Sequence, residues 1–136
     1  MKDLIKNYLF VTLLIMIILG CNEKTKTSIS NNVLLDEWKG PYGGVPAFDE
    51  MKTEDVKQAM IEGMRLRLND IEKIAESKDE PSFENTIVQM EKSGKELSRV
   101  YSYYGILSSN LSTPNFRKIQ AELAPLISDH QSKINQ

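Results

Sequence analysis

The chain holds one histidine, His130, and one cysteine, Cys21, so a nucleophile–base pair or a metal site built on these types has little to start from. His130 lies in "SDHQSKI" with no second histidine or cysteine beside it. A single neutral imidazole joins a metal site only with ligands from elsewhere, and the spacing reads as a partly exposed helix residue. Glu72 and Glu76, or Glu91 with Lys95, stand at helical neighbour spacing. They read as solvated faces rather than as an acid/base pair. Gly43 and Gly44 lack the strand, helix and basic residue of a phosphate loop, which leaves them as turn residues. The formal charge of -2 is spread among interspersed acids and bases, with none of the clustered basic face that binding to nucleic acid requires. No catalytic and no metal-binding residue is assigned within residues 1–136.

Cys21 has a different reading. Lys2 and Lys6 precede an apolar run from Tyr8 to Leu19. That run fits a signal-peptide core and falls short of the twenty or so residues that span hydrocarbon. It ends in "ILGC", which resembles a bacterial lipobox; the resemblance implies cleavage before Cys21 and diacylglyceryl attachment to its sulfur. Residues 1–20 are then a lipoprotein signal peptide and Cys21 a lipidation site holding the chain to a membrane of the cell envelope. Two or three acyl chains anchor far more firmly than one. Asn22 directly after the cysteine leans towards the outer membrane. With no other cysteine, the remaining chain forms no internal disulfide. Residues 21–33, mostly the polar "NEKTKTSISNN", read as a flexible tether.

From Thr53 an apolar period of threes and fours sets in, and the spacing predicts an all-α region over 53–136 made of antiparallel helical hairpins. Thr53 is placed to cap a first helix reaching about Ser77, with Val56, Met60, Gly63, Met64, Ile71, Ile74 and Ala75 as its stripe. Pro81 breaks it. Ser82 opens a second helix predicted to run unbroken to about Ser109, roughly 40 Å, with Phe83, Ile87, Met90, Gly94, Leu97, Tyr101, Tyr104 and Leu111 on one seam. Thr113 and Pro114 open a third, carrying Ile119, Leu123, Leu126, Ile127 and Ile134 and kinked at Pro125.

The second helix carries a surplus. Between Leu97 and Leu111 its apolar residues spread over roughly 220°, against the ~100° stripe a surface helix needs. Residues 34–52 point the same way, since "WKGPYGGVPAFDEMK" combines Trp38, Tyr42 and Phe48 with glycines and prolines. Large rings bury well, and glycine and proline let backbone lie closely on a surface. This segment is expected to be an extended strap, its rings seated in grooves of a larger body.

"LLDEWKGPYGGVPAFDEMK", "PSFENTIVQMEKSGKELSRV" and "LSSNLSTPNFRKIQAELAPLISDHQSKI" resemble consecutive blocks near the N-terminus of the thimet oligopeptidase family of zinc metallopeptidases, in its peptidyl-dipeptidase branch. The resemblance covers about Leu34 to Gln136, and "GPYGGVPAF" and "FENTI" are its most distinctive parts. It implies a large, nearly all-helical enzyme with a deep channel, cleaving dipeptides from the C-terminal end of short peptides. It also implies a zinc held by an H-E-x-x-H helix and a later glutamate, far beyond residue 136. No H-E-x-x-H occurs in this sequence. Residues 53–136 are therefore expected to be the helical, channel-covering N-terminal part of such an enzyme, inactive alone and completed by a C-terminal catalytic region. A free-standing three-helix lipoprotein binding module is the alternative, its surplus apolar arc serving as a docking face. A coiled-coil spacer fits the spacing of Met90, Leu97, Tyr104 and Leu111 but not Gly94 in the seam.

Overall fold

A computed structural model describes residues 32–41 and 44–135. Within them the chain is helical and no strand forms; Lys39 and Val45 make a single antiparallel bridge. No helix among the described residues is long and apolar enough to cross a membrane. Helix α1 spans Val56–Ala75, short α2 Val88–Lys92, α3 Lys95–Asn110 and α4 Pro114–Ile134.

Helix α1 does not start on a threonine cap. A 3-10 turn over Thr53–Asp55 leads into it, following Lys52, and no side chain caps that turn. Glu54 and Asp55 do occupy this opening turn, where negative charge meets the positive end of the helix dipole. The buried face of α1 is Val56, Ala59, Met60, Gly63 and Met64. Farther along, Ile71 and Ile74 are only half-buried, and Ala75 is exposed.

The predicted second helix is two pieces. Ser82 caps it as expected: its Oγ accepts from the Asn85 N–H at 3.1 Å, while the Asn85 Oδ1 accepts from the Ser82 N–H at 2.8 Å. The same Asn85 donates through Nδ2 to the Glu80 carbonyl. These three bonds hold a wide π turn over Phe83–Ile87 that passes into α2. The helix then stops at Ser93, whose backbone is extended, and Gly94 takes φ +71° before α3 begins. Glycine alone adopts such an angle without cost. A side chain there would also strike Arg67, whose Cδ lies 2.7 Å from the position a Cβ would take. The break shifts the register, so the seam facing the core is Leu97, Val100, Tyr103 and Leu107. Phe83, Ile87, Met90 and Leu111, expected on that seam, are exposed.

Thr113 caps α4 by accepting from the Phe116 N–H at 3.2 Å, with Pro114 at the first helical position. The helix continues through Pro125 to Ile134 without dividing. Its inward side chains are Phe116, Ile119, Leu123 and His130.

Helices α1 and α3 run antiparallel. Gly63 sits over Leu97, and Arg67, one turn on, over Gly94. Helices α1 and α4 run parallel: Asn115 donates to Glu54 at 3.4 Å, and the Lys57 ammonium pairs with Glu122 at 2.6 Å. The result is an up-down-up bundle around one core that includes Leu34, Met60, Leu97, Val100, Tyr103, Phe116 and Leu123.

Candidate functional site

Tyr103 is the residue on which the N-terminal segment is seated. Its ring is wholly buried, with the Trp38 ring edge-on at 6.3 Å and the Phe48 ring at 5.5 Å between centroids. Its hydroxyl accepts a hydrogen bond from the Ala47 N–H at 2.8 Å. Edge-to-face geometry of this kind adds to what burial alone gives. Arg99, one turn earlier on α3, donates from Nε and Nη2 to the Leu35 carbonyl at 3.1 and 2.8 Å. Leu34 is fully buried in the core, and the Asn32 side chain donates to the Asp55 carbonyl at 3.1 Å. Gly44, at φ +92°, has no room for a side chain, because a Cβ would lie 2.5 Å from the Trp38 backbone.

The expectation that the strap needs a larger body is therefore corrected. Trp38 and Phe48 find their partner in this chain's own α3, because the residues between Leu97 and Leu107 face both the bundle and the strap. Phe48 keeps an exposed side. Tyr42 and Gly43 lie outside the described residues, as do the expected signal peptide, Cys21 and most of the expected tether.

His130 is also corrected: only 5% of it is exposed. Both ring nitrogens are buried and neither has a hydrogen-bond partner among the described residues. The reason is helical phase. Ile119, Leu123 and His130 recur at four and seven residues on the inward side of α4. Burial, then the nearby Arg67 and Lys133 cations, hold the imidazole pKa below its ordinary value of 6.5, against the smaller opposing pull of Asp129. The unfolded chain therefore binds a proton more readily than the folded one, and stability falls as pH drops through about 6.5. In His130→Leu this part of the pH dependence disappears, as urea midpoints measured from pH 7.5 to 5.0 would record.

The third feature is a groove of about 420 Å³ between α1, α2 and α3, lined among others by Arg67, Met90, Glu91, Lys95 and Tyr101. Arg67 forms no ion pair among the described residues, and its Nε is shut off from solvent without a hydrogen-bond partner. Burial pushes the Tyr101 phenol pKa up, while the Arg67 charge pulls the other way.

Among the described residues no group of three or more histidine, cysteine, aspartate or glutamate side chains could hold a metal ion. Glu72, Glu76 and Glu91 are exposed. Other helix-surface acids form ion pairs at short spacing, such as Glu62 with Arg65 and Asp129 with Lys133. What the geometry provides is a closed helical bundle, a strap fastened to it and a groove with an unpaired cation.

No family model matches the chain. It is 34% identical over 105 residues to a protein named dipeptidyl carboxypeptidase from Salmonella typhimurium, a match covering 74% of this chain and 15% of the relative. A second protein of that name, from Escherichia coli, is 32% identical over 88 residues, covering 62% of this chain and 13% of the relative. The chain is thus related in sequence to peptidyl-dipeptidases and matches about one-seventh of their length. "GPYGGVPAF" and "FENTI" acquire a physical account here. Gly44 and Ala47 fit the first stretch onto Trp38 and Tyr103, and Asn85 ties the second to Ser82 and Glu80. Among the described residues, the contacts of both stretches serve the fold.

Proposed function

We propose that residues 21–136 are the N-terminal part of a lipid-anchored zinc metallopeptidase that releases C-terminal dipeptides from short peptides. Cys21 carries the lipid and residues 22–33 the tether. Residues 34–52 form the strap, and the helices from 53 onward cover the channel that leads to the metal. Zinc and its ligands belong to the catalytic region that follows; the chain's own helices narrow access so that only short, unfolded peptides enter. The supporting observation is the 34% identity over 105 residues to a dipeptidyl carboxypeptidase of which this is only 15%. The membrane of the cell envelope and the C-terminal catalytic region are the partners this reading requires.

The first test is lipid attachment and activity together. Cells expressing the chain incorporate labelled palmitate, and Cys21→Ser abolishes both the label and recovery in the membrane fraction. The purified chain alone holds no zinc and releases no dipeptide from blocked tripeptide and tetrapeptide substrates. Hydrolysis by the chain alone would contradict the reading.

A free-standing lipoprotein binding module has one observation in its favour: the core closes within these residues, and Trp38 is seated without a further chain. In that case the exposed groove beside Arg67 would be the binding face.

A further inference from the structure

The π turn and α2 present Phe83, Ile87 and Met90 at spacings of four and three residues, and they are 68%, 47% and 47% exposed. Among the described residues this apolar stripe is left largely uncovered. Met90 belongs equally to the groove that Arg67 and Tyr101 line, so the stripe runs into a cleft containing a cation. That cation is poorly provided for: the Arg67 stem lies across Gly94, its Nε is sealed from water, and it finds no acceptor among the described residues. The buried Nε is out of reach of an incoming group, but the terminal guanidinium nitrogens, which are not among the sealed atoms, can take a carboxylate in a charge-assisted pair. Lys95 adds a second positive charge to the same cleft and Glu91 one negative charge, so the lining is positive on balance. Apolar anchors at helical spacing beside a cationic cleft match the complementary surface of an amphipathic helix bearing an acidic residue.

We propose that Phe83, Ile87, Met90 and Tyr101 form a docking face for an acidic amphipathic helix, whose carboxylate pairs with Arg67. The helix belongs to the polypeptide that lies outside these residues in the longer protein. That assignment of source rests on the peptidase reading, since the related protein is roughly seven times as long as the matched segment. Occupation of the cleft gives the Arg67 guanidinium a counter-ion and covers the stripe.

The test uses the full chain and three designed, fluorescein-labelled helical peptides of about 18 residues, long enough for five turns. They share leucines at spacings of three and four and carry glutamate, glutamine or lysine on the flank of the apolar face. Fluorescence anisotropy is expected to show the glutamate peptide binding about tenfold more tightly than its glutamine twin, the scale of one charge-assisted hydrogen bond. The lysine peptide does not bind. Arg67→Ala brings the glutamate peptide down to the level of the glutamine one, and Met90→Asp, at an exposed position that leaves the core untouched, weakens both. Equal binding by all three peptides, or binding indifferent to Arg67 and Met90, overturns the proposal. Because the peptides are designed, such a failure counts against the docking face alone. The peptidase reading is tested separately by the size, zinc and activity of the native protein.

Discussion

Tyr103→Ala lowers the unfolding free energy by about 3–5 kcal/mol, the range for truncating a large buried aromatic side chain. It also releases the strap. The ring is fully buried and is the shared partner of Trp38 and Phe48, and its hydroxyl is the acceptor for the Ala47 N–H. Removing it opens a cavity in the core and takes away the surface on which Trp38, Ala47 and Phe48 rest. Trp38 is the chain's one tryptophan, so its emission reports the strap directly: it shifts to the red and becomes open to iodide quenching. Tyr103→Phe separates the two contributions. The cavity is absent and only the acceptor is lost, which costs about 1–3 kcal/mol when a buried donor is left without a partner. Trp38 then keeps most of its shielding. A Tyr103→Ala chain with unchanged stability and unchanged Trp38 emission would mean that the strap is not seated on α3.

Gly63→Leu is expected to cost about 3 kcal/mol, at the upper end of the overpacking range. A Cβ at Gly63 would lie 3.0 Å from the Leu97 Cα, a backbone atom that cannot move aside alone. The extra bulk pushes α1 away from α3 where Met60, Met64 and Leu97 meet, and tightly packed interiors do not absorb such a shift. Gly63→Ala is milder, since the neighbours need give only a few tenths of an ångström. Thermal unfolding and near-ultraviolet circular dichroism of the two variants give the order wild type, Gly63→Ala, Gly63→Leu. Wild-type stability in Gly63→Leu would show that the two helices do not approach here.

Periodicity revealed the helices but not all that interrupts or covers them. Helix α4 follows from Thr113, Pro114 and the spacing of Ile119 and Leu123, because a cap, a first-turn proline and an apolar stripe agree. The break at Ser93 and Gly94 was hidden. The apolar period continues across it, and a glycine in a seam reads equally well as close helix packing or as a left-handed stop. Only the left-handed backbone at Gly94, φ +71°, distinguishes them. The strap's rings announced that the segment must dock, yet sequence carries no address for a docking partner. Tyr103 was one of several aromatic and aliphatic residues on the same broad arc. For His130 the signal existed: it lies seven residues after Leu123, on the inward side, and polarity outweighed phase in reading it as partly exposed. The candidate site was less legible than the fold. The unpaired state of Arg67 depends on what α2 and α3 bring beside it, and neighbouring residues in the sequence do not record that.

The most direct measurement is the size and activity of the native protein, recognised by an antibody raised against residues 32–135 and purified from membranes of the source cells. The expected result is one polypeptide several times larger than the 15.5 kDa of these 136 residues, with one zinc per chain and release of C-terminal dipeptides that a chelator stops. A 15.5 kDa chain as the sole reactive species, with neither zinc nor peptidase activity in the fraction that contains it, would contradict it.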